Sequence, residues 1–161
     1  MPEHPDRPLV TLLTSDPVGE VERELTVFLR RTLESVWSRG YGAGPVDRYT
    51  YPVLVLLAER GPLGLGELAA RLGLTKPTMS RHVARLAGAT LVTTRPDRRD
   101  TRAVTVVLTP EGADRVERVR EVRRRTLATV LANWSEADSE ALAHLLGRLN
   151  ADLDRHRDDS A

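Results

Sequence analysis

The 161-residue chain contains no cysteine. That absence removes disulfides, thiol redox sensing, thiolate metal sites and cysteine nucleophiles together. No apolar run approaches the roughly 18 residues that a membrane span needs. The opening MPEHPDRPLVTLLTSD is acidic and proline-bearing, without the basic stretch and apolar core of a secretory signal. A cytoplasmic protein with no membrane partner is the expectation. The four histidines, His4, His82, His144 and His156, lie far apart and lack the paired spacing of a metal motif, so neither metal nor cofactor is expected. Also missing are a glycine-rich phosphate loop, a nucleophile with a base, and a carboxylate pair spaced for acid and base work. An enzyme is therefore not expected.

What is present is an ordinary globular composition, 40% hydrophobic and 29% charged, in a length that suits one domain carrying extra helices. The net charge of +1 hides an asymmetry. Between Arg71 and Arg102 stand eight basic residues (Arg71, Lys76, Arg81, Arg85, Arg95, Arg98, Arg99 and Arg102) and two acidic ones (Asp97 and Asp100). This stretch is at +6 and the rest of the chain at −5. A basic middle in a mildly acidic body is the footprint of a surface held against phosphates.

Four segments follow from patterning. Residues 1–17 have three prolines before Pro17 and no sustained period, and read as an N-terminal arm; Leu9, Val10, Leu12 and Leu13 make it too apolar for a free tail. Residues 18–45 hold a helix over 18–39, with Val21, Leu25, Phe28, Leu29, Leu33, Val36 and Trp37 at three- and four-residue steps. Residues 46–112 begin with a helix over 47–60, in which Pro52 demands a late start or a kink. Two short helices follow, LGELAARL and TKPTMSRHVARL, with Thr75 as N-cap and Pro77 in the first turn. Next come two β-branched runs, Thr90 to Thr94 and Ala103 to Leu108, separated by RPDRRDTR. Residues 113–161 continue a helix opened by Thr109 and Pro110, then a last helix capped by Ser135, with the stripe Leu142, Leu145, Leu146, Leu149 and Leu153.

A helix-turn-helix followed directly by a hairpin is a winged helix. The expected fold is mainly α with a small β-hairpin wing, flanked by N- and C-terminal dimerisation helices. Its second short helix carries Met79, Val83 and Leu86 on one face and Thr78, Arg81, His82 and Arg85 on the other. An α-helix fits the major groove of double-stranded DNA. Thr75, Lys76, Thr78, Ser80, Arg81, His82 and Arg85 are the candidate contacts, with Arg81 first for base readout and Arg85 for phosphate. The apolar stripes of the two terminal helices exceed what a small winged helix can cover. A homodimer follows, with two recognition helices about one turn of DNA apart and a pseudo-palindromic operator.

The segment GPLGLGELAARLGLTKPTMSRHVARL with the wing DRRDTRAVTVVLTPEG resembles the MarR family of bacterial transcriptional regulators, and the helix order from Val18 to Arg155 fits its six-helix arrangement. The Asp-x-Arg of Asp100 and Arg102 and the LTPEG of Leu108 to Gly112 are its most specific parts. The resemblance implies a homodimeric regulator, a repressor in the reading preferred here, that a small aromatic or phenolic effector releases from DNA. Carried onto this chain, Asp100 and Arg102 brace the wing, and Arg98 or Arg99 enters the minor groove. Trp37, Tyr41, Tyr49 and Tyr51 flank the junction where the family keeps its pocket; hinge packing is the alternative for these aromatics. The chain departs from the family at Thr90, where members have a glycine before Leu-Val and a β-branched residue resists a left-handed helix end; at Pro52; and in lacking the cysteines of peroxide sensors. The rival function is an effector-independent winged helix used for DNA architecture or protein docking. A docking face is expected to be apolar and a nonspecific one more uniformly basic, whereas this face mixes Thr, Ser, Arg and His.

Overall fold

The computed structural model describes residues 16–32, 40–42, 44–96 and 103–159. These form α1 (Pro17–Arg31), α2 (Tyr51–Arg60), β1 (Leu63–Gly64), α3 (Leu65–Arg71), α4 (Lys76–Gly88), β2 (Val92–Pro96), β3 (Val104–Leu108), α5 (Pro110–Val130) and α6 (Glu136–Asp159). The chain divides into two compact units, residues 1–120 and 121–161.

In the first unit, α1 starts where Asp16 accepts a hydrogen bond from the Val18 N–H at 3.1 Å, with Pro17 in the first turn. It buries no residue: Val18, Val21, Phe28 and Leu29 are all exposed. The helix expected over 18–39 is described as far as Thr32, its C-cap. Leu33, Val36 and Trp37 lie outside the described residues, as do the arm's Leu9, Val10, Leu12 and Leu13.

The difficulty at Pro52 resolves as a late start. Asp47 opens a separate turn, its Oδ1 accepting from the N–H groups of Tyr49 (2.8 Å) and Thr50 (3.0 Å). α2 begins only at Tyr51, so Pro52 falls where a missing N–H costs no helical hydrogen bond. Val53, Leu54 and Leu57 then point inward with Leu68, Met79, Val83, Leu86, Leu91, Val106, Val116 and Val119 to make the core. Each fully buried Leu or Val contributes roughly 1.5–3 kcal/mol, so this unit has its own means of cohesion.

The two short helices end in the same way with different residues. At the end of α3, Gly73 takes φ 63°, while the Gly73 and Leu74 N–H groups reach the carbonyls of Ala70 and Ala69. At the end of α4, Thr90 takes φ 62°, and the Thr90 and Leu91 N–H groups reach those of Ala87 and Leu86. Both are Schellman caps. The departure foreseen at Thr90 therefore does not change how the helix ends; a threonine accepts the left-handed conformation usually left to glycine. Tertiary bonds hold it there. Thr90 Oγ1 donates to Glu111 Oε2 at 2.9 Å, and the Thr90 carbonyl accepts from Thr109 Oγ1 at 2.6 Å.

This is also the physical content of the LTPEG motif. Thr109 caps α5 through the Gly112 N–H at 3.0 Å, Glu111 holds Thr90, and Gly112 permits contact: a Cβ there would lie 2.0 Å from the Leu91 carbonyl oxygen. The root of the wing is thus clamped to the end of α4. The sheet has three strands rather than the two of the expected hairpin, in the order β1-β3-β2, all antiparallel, with Thr94 opposite Val106 and Leu63 also opposite Val106. Two residues of β1 are too few to show a period in the sequence.

The second unit holds the end of α5, a turn, and α6. Ser135 caps α6, accepting from the Asp138 N–H at 3.1 Å. Glu121 takes hydrogen bonds from Arg124 and Arg125, which hold its carboxyl at about 2. Leu142, Leu145, Leu146 and Leu153 are exposed.

Candidate nucleic-acid interface

α4 starts with a built cap: Thr75 Oγ1 lies 3.4 Å from the Thr78 N–H and 2.9 Å from Thr78 Oγ1. Met79, Val83 and Leu86 are buried, as the pattern predicts. A helix turns by about 100° per residue, and burial divides the remaining residues into two rows. Pro77, Ser80, Arg81 and Ala84 are exposed on the outer face, with Lys76 exposed at the entrance. Thr78 and His82 are half-buried on one flank, and Arg85 shares that flank at the i+3 position from His82.

Arg85 is itself exposed and reaches from this flank back to the loop before α2. Arg85 Nη2 is 2.8 Å from the Pro45 carbonyl oxygen, 2.5 Å from Asp47 Oδ2 and 3.3 Å from Thr50 Oγ1. Thr50 is fully buried and returns hydrogen bonds within the loop, donating to Pro45 O at 2.8 Å and accepting from the Asp47 N–H at 3.0 Å. Partial burial pushes the Asp47 carboxyl up. The hydrogen bonds from Arg85 and from the Tyr49 and Thr50 N–H groups outweigh that effect and hold it at about 2. Arg85, a phosphate candidate by sequence, is thus occupied within the chain. The loop before α2 and α4 are one hydrogen-bonded assembly, across 38 residues of sequence.

Of the basic residues in the central stretch, Arg71 pairs with Glu67 at 3.0 Å and Arg85 with Asp47. Among the described residues Lys76, Arg81 and Arg95 make no ion pair. The Lys76 side chain lies along Gly66, whose added Cβ would come within 3.2 Å of Lys76 Cε. Arg95 is exposed on β2 opposite Thr105. Arg98, Arg99, Asp100 and Arg102 lie outside the described residues.

The aromatics separate as well. Tyr41 and Tyr51 are buried core members with ring centroids 5.6 Å apart, and the Tyr41 carbonyl lies 3.5 Å from Arg115 Nη1. Tyr49 is 56% exposed and stands nearly parallel to His82, at 3° with centroids 6.4 Å apart. Trp37 is outside the described residues. Sequence reasoning grouped Tyr49 with Trp37, Tyr41 and Tyr51; the structure sets its exposed ring beside His82 of α4. It also missed Ala84 and Pro77 on the outer face and Arg48, whose guanidinium carbon is 5.3 Å from the Tyr49 ring centre. The three-residue step from Arg81 to Ala84 was the available signal for Ala84.

A short helix, a left-handed turn, a second helix with an exposed polar face, and a strand pair rooted at its end define a winged helix-turn-helix regulator. The MarR family model matches residues 46–103. The chain is 31% identical over 135 residues to the helix-turn-helix-type transcriptional regulator YxaD of Bacillus subtilis, covering 84% of this chain and 94% of that one. It is 26% identical to the helix-turn-helix-type transcriptional repressor YetL of the same organism, covering 81% and 80%. Its fold is similar to that of a MarR family protein from Bacillus stearothermophilus, with a TM-score of 0.72, 26% identity, and coverage of 84% and 94%. The chain belongs to the MarR family, whose members are transcriptional regulators and not enzymes. Among the described residues no helix is long and apolar enough to cross a membrane.

Proposed function

We propose that this regulator binds a pseudo-palindromic operator in double-stranded DNA as a homodimer and represses transcription from it, with residues 46–112 as the DNA-binding portion. The observation that carries the reading is the outer row of α4: Lys76, Ser80 and Arg81 are exposed, and among the described residues neither cation makes an ion pair. Arg81 reads a base edge, for which a guanidinium fork suits guanine. Ala84, one turn on, offers a methyl that suits thymine. Lys76 and Thr75 at the helix entrance meet phosphate, and, as the family resemblance implies, Arg98 or Arg99 enters the minor groove, with Asp100 and Arg102 bracing the wing. Thr78, His82 and Arg85 form the supporting flank. The protein-docking alternative calls for an apolar face; this row is polar and basic apart from Pro77 and Ala84.

The exposed stripes of α1 and of α6 support the dimer, since each is apolar surface that a second copy would remove from water. Effector release is part of the same proposal. Tyr41 and Tyr51 flank the loop that Arg85 ties to α4, and Tyr49 lies within it, so an aromatic or phenolic ligand that shifts this loop shifts the recognition helix with it. Selection of bound sequences from a random duplex library tests the function. A palindromic consensus supports it, and failure to enrich any sequence refutes it. On the selected site Arg81→Ala weakens binding by roughly 1–3 kcal/mol and relaxes one base pair; an equal loss on random DNA would remove its readout role.

A further inference from the structure

Arg48 lies in none of the elements that carry the interface above, yet it is held against them. The Tyr49 ring stands nearly parallel to His82 of α4, and the Arg48 guanidinium lies over the Tyr49 ring with 5.3 Å from its carbon to the ring centre. The Tyr49 ring thus meets both the half-buried imidazole of α4 and the Arg48 guanidinium. The loop that carries this stack is fixed from below. Asp47 Oδ1 takes the N–H groups of Tyr49 and Thr50, Asp47 Oδ2 takes Arg85, and the buried Thr50 closes the turn on Pro45 and Asp47.

Two further observations turn a packing detail into a binding element. Arg48 and Tyr49 are exposed, and among the described residues Arg48 makes no ion pair. The neighbouring carboxylate, Asp47, would repel a polyanion, but its charge is already matched by Arg85. What the loop presents outward is therefore a positive charge on an aromatic shelf.

We propose that Arg48, positioned by Tyr49, is a contact to the DNA phosphate backbone beside the recognition helix. The proposal rests on the DNA-binding reading above. A guanidinium that already sits on a ring loses little freedom on meeting a phosphate, and it makes charge-assisted hydrogen bonds there. Such a contact positions the protein and carries no base preference. Arg48 thus complements Arg81: one fixes where α4 lies, the other reads what lies beneath it. His82 acts through the stack as a positioning residue for Tyr49.

The test compares Arg48→Ala, Arg48→Lys and Tyr49→Ala with the parent full-length chain, on the selected operator and on random duplex of equal length, across a salt series. Arg48→Ala is expected to lower affinity by about fivefold on both duplexes and to make the slope of log K against log salt shallower by about 0.9 per protomer. Arg48→Lys keeps the slope. Tyr49→Ala lowers affinity on its own and adds little in the Arg48→Ala background, because the shelf has nothing left to hold. Unchanged melting temperatures exclude a folding defect, as expected for two exposed residues. If the parent chain binds and Arg48→Ala keeps both its affinity and its slope, the phosphate contact is refuted while the regulator reading stands. If the loss appears on the operator alone, Arg48 is a base-reading group and the backbone role is refuted. If the parent chain binds neither duplex, the DNA-binding reading itself fails.

Discussion

Leu86 on α4 and Leu145 on α6 are both leucines on amphipathic helices, and only the first is buried. Leu86 belongs to a core shared by α2, α3, α4, the sheet and the first half of α5. Leu145 stands with Leu142, Leu146 and Leu153 on α6 of the second unit, where all four are exposed. The periodicity is the same; the difference is whether the chain has folded something over it. The winged-helix part of the first unit buries its own apolar faces, whereas α6, like α1, carries its apolar residues exposed.

The largest expected effect comes from breaking the buried side. Leu86→Ala should lower stability by about 2–5 kcal/mol, and Leu145→Ala should change the melting of dilute protein by less than about 0.5 kcal/mol. Equal losses in thermal or denaturant unfolding would abolish the contrast. Two glycines sharpen it next. Gly112→Ala brings a Cβ to 2.0 Å from the Leu91 carbonyl oxygen and 2.7 Å from Leu108 Cδ1, and overpacking of that kind destabilises by about 3 kcal/mol. Gly147 on α6 has no such neighbour within 4 Å, so Gly147→Ala should stabilise by about 0.5 kcal/mol through helix propensity alone.

Third in size is assembly. Leu145→Asp with Leu153→Asp is expected to weaken the proposed dimer at least about tenfold, about 1.4 kcal/mol, read by sedimentation across a dilution series while helical circular dichroism is retained. A dimer of unchanged strength would show that α6 faces something else. Thr90→Gly follows. Relief of the left-handed φ of 62° is worth about 1–2 kcal/mol, the loss of the Glu111 hydrogen bond offsets part of it, and a net gain of under about 1 kcal/mol is expected in denaturant unfolding.

The smallest effect separates two carboxylates held at about 2. Asp47 and Glu121 both have lowered values, but only Asp47 is paired across distant parts of the chain, so it favours the folded chain above the ordinary carboxylate pKa of about 4 and loses that contribution as pH falls from about 4 toward 2. Asp47 joins a loop to α4, whereas Glu121 pairs with arginines three and four residues away on its own helix. In acid titration of stability, Asp47→Asn should remove part of the loss between pH 4 and 2, amounting to under about 1 kcal/mol after solvent screening. Glu121→Gln should leave the global curve in place. A larger change from Glu121→Gln would reverse the assignment.

Much of this was legible in advance. The caps at Thr75, Thr109 and Ser135, the buried triplet Met79, Val83 and Leu86, and the strand runs before and after the arginine stretch all depend on neighbours within about one turn or one strand, and local patterning reports such neighbours directly. Legibility declined where partners are distant. Arg85 looked like Arg81 because both stand on the polar side of one helix; only the turn at Asp47, 38 residues earlier, distinguishes them. Tyr49 looked like Tyr41 and Tyr51 because all three share one junction. Burial separates them into a core pair and a surface shelf.

The amino-acid sequence by itself determined the helices, their caps, the buried face of α4 and the concentration of positive charge around it, because periodicity, end chemistry and charge are properties of residues near one another in the chain. Tertiary structure decided which cations are left for a partner, how Thr90 tolerates a glycine conformation, and why position 112 is a glycine. Each of these depends on a hydrogen bond or a close approach between segments that the chain brings together only on folding.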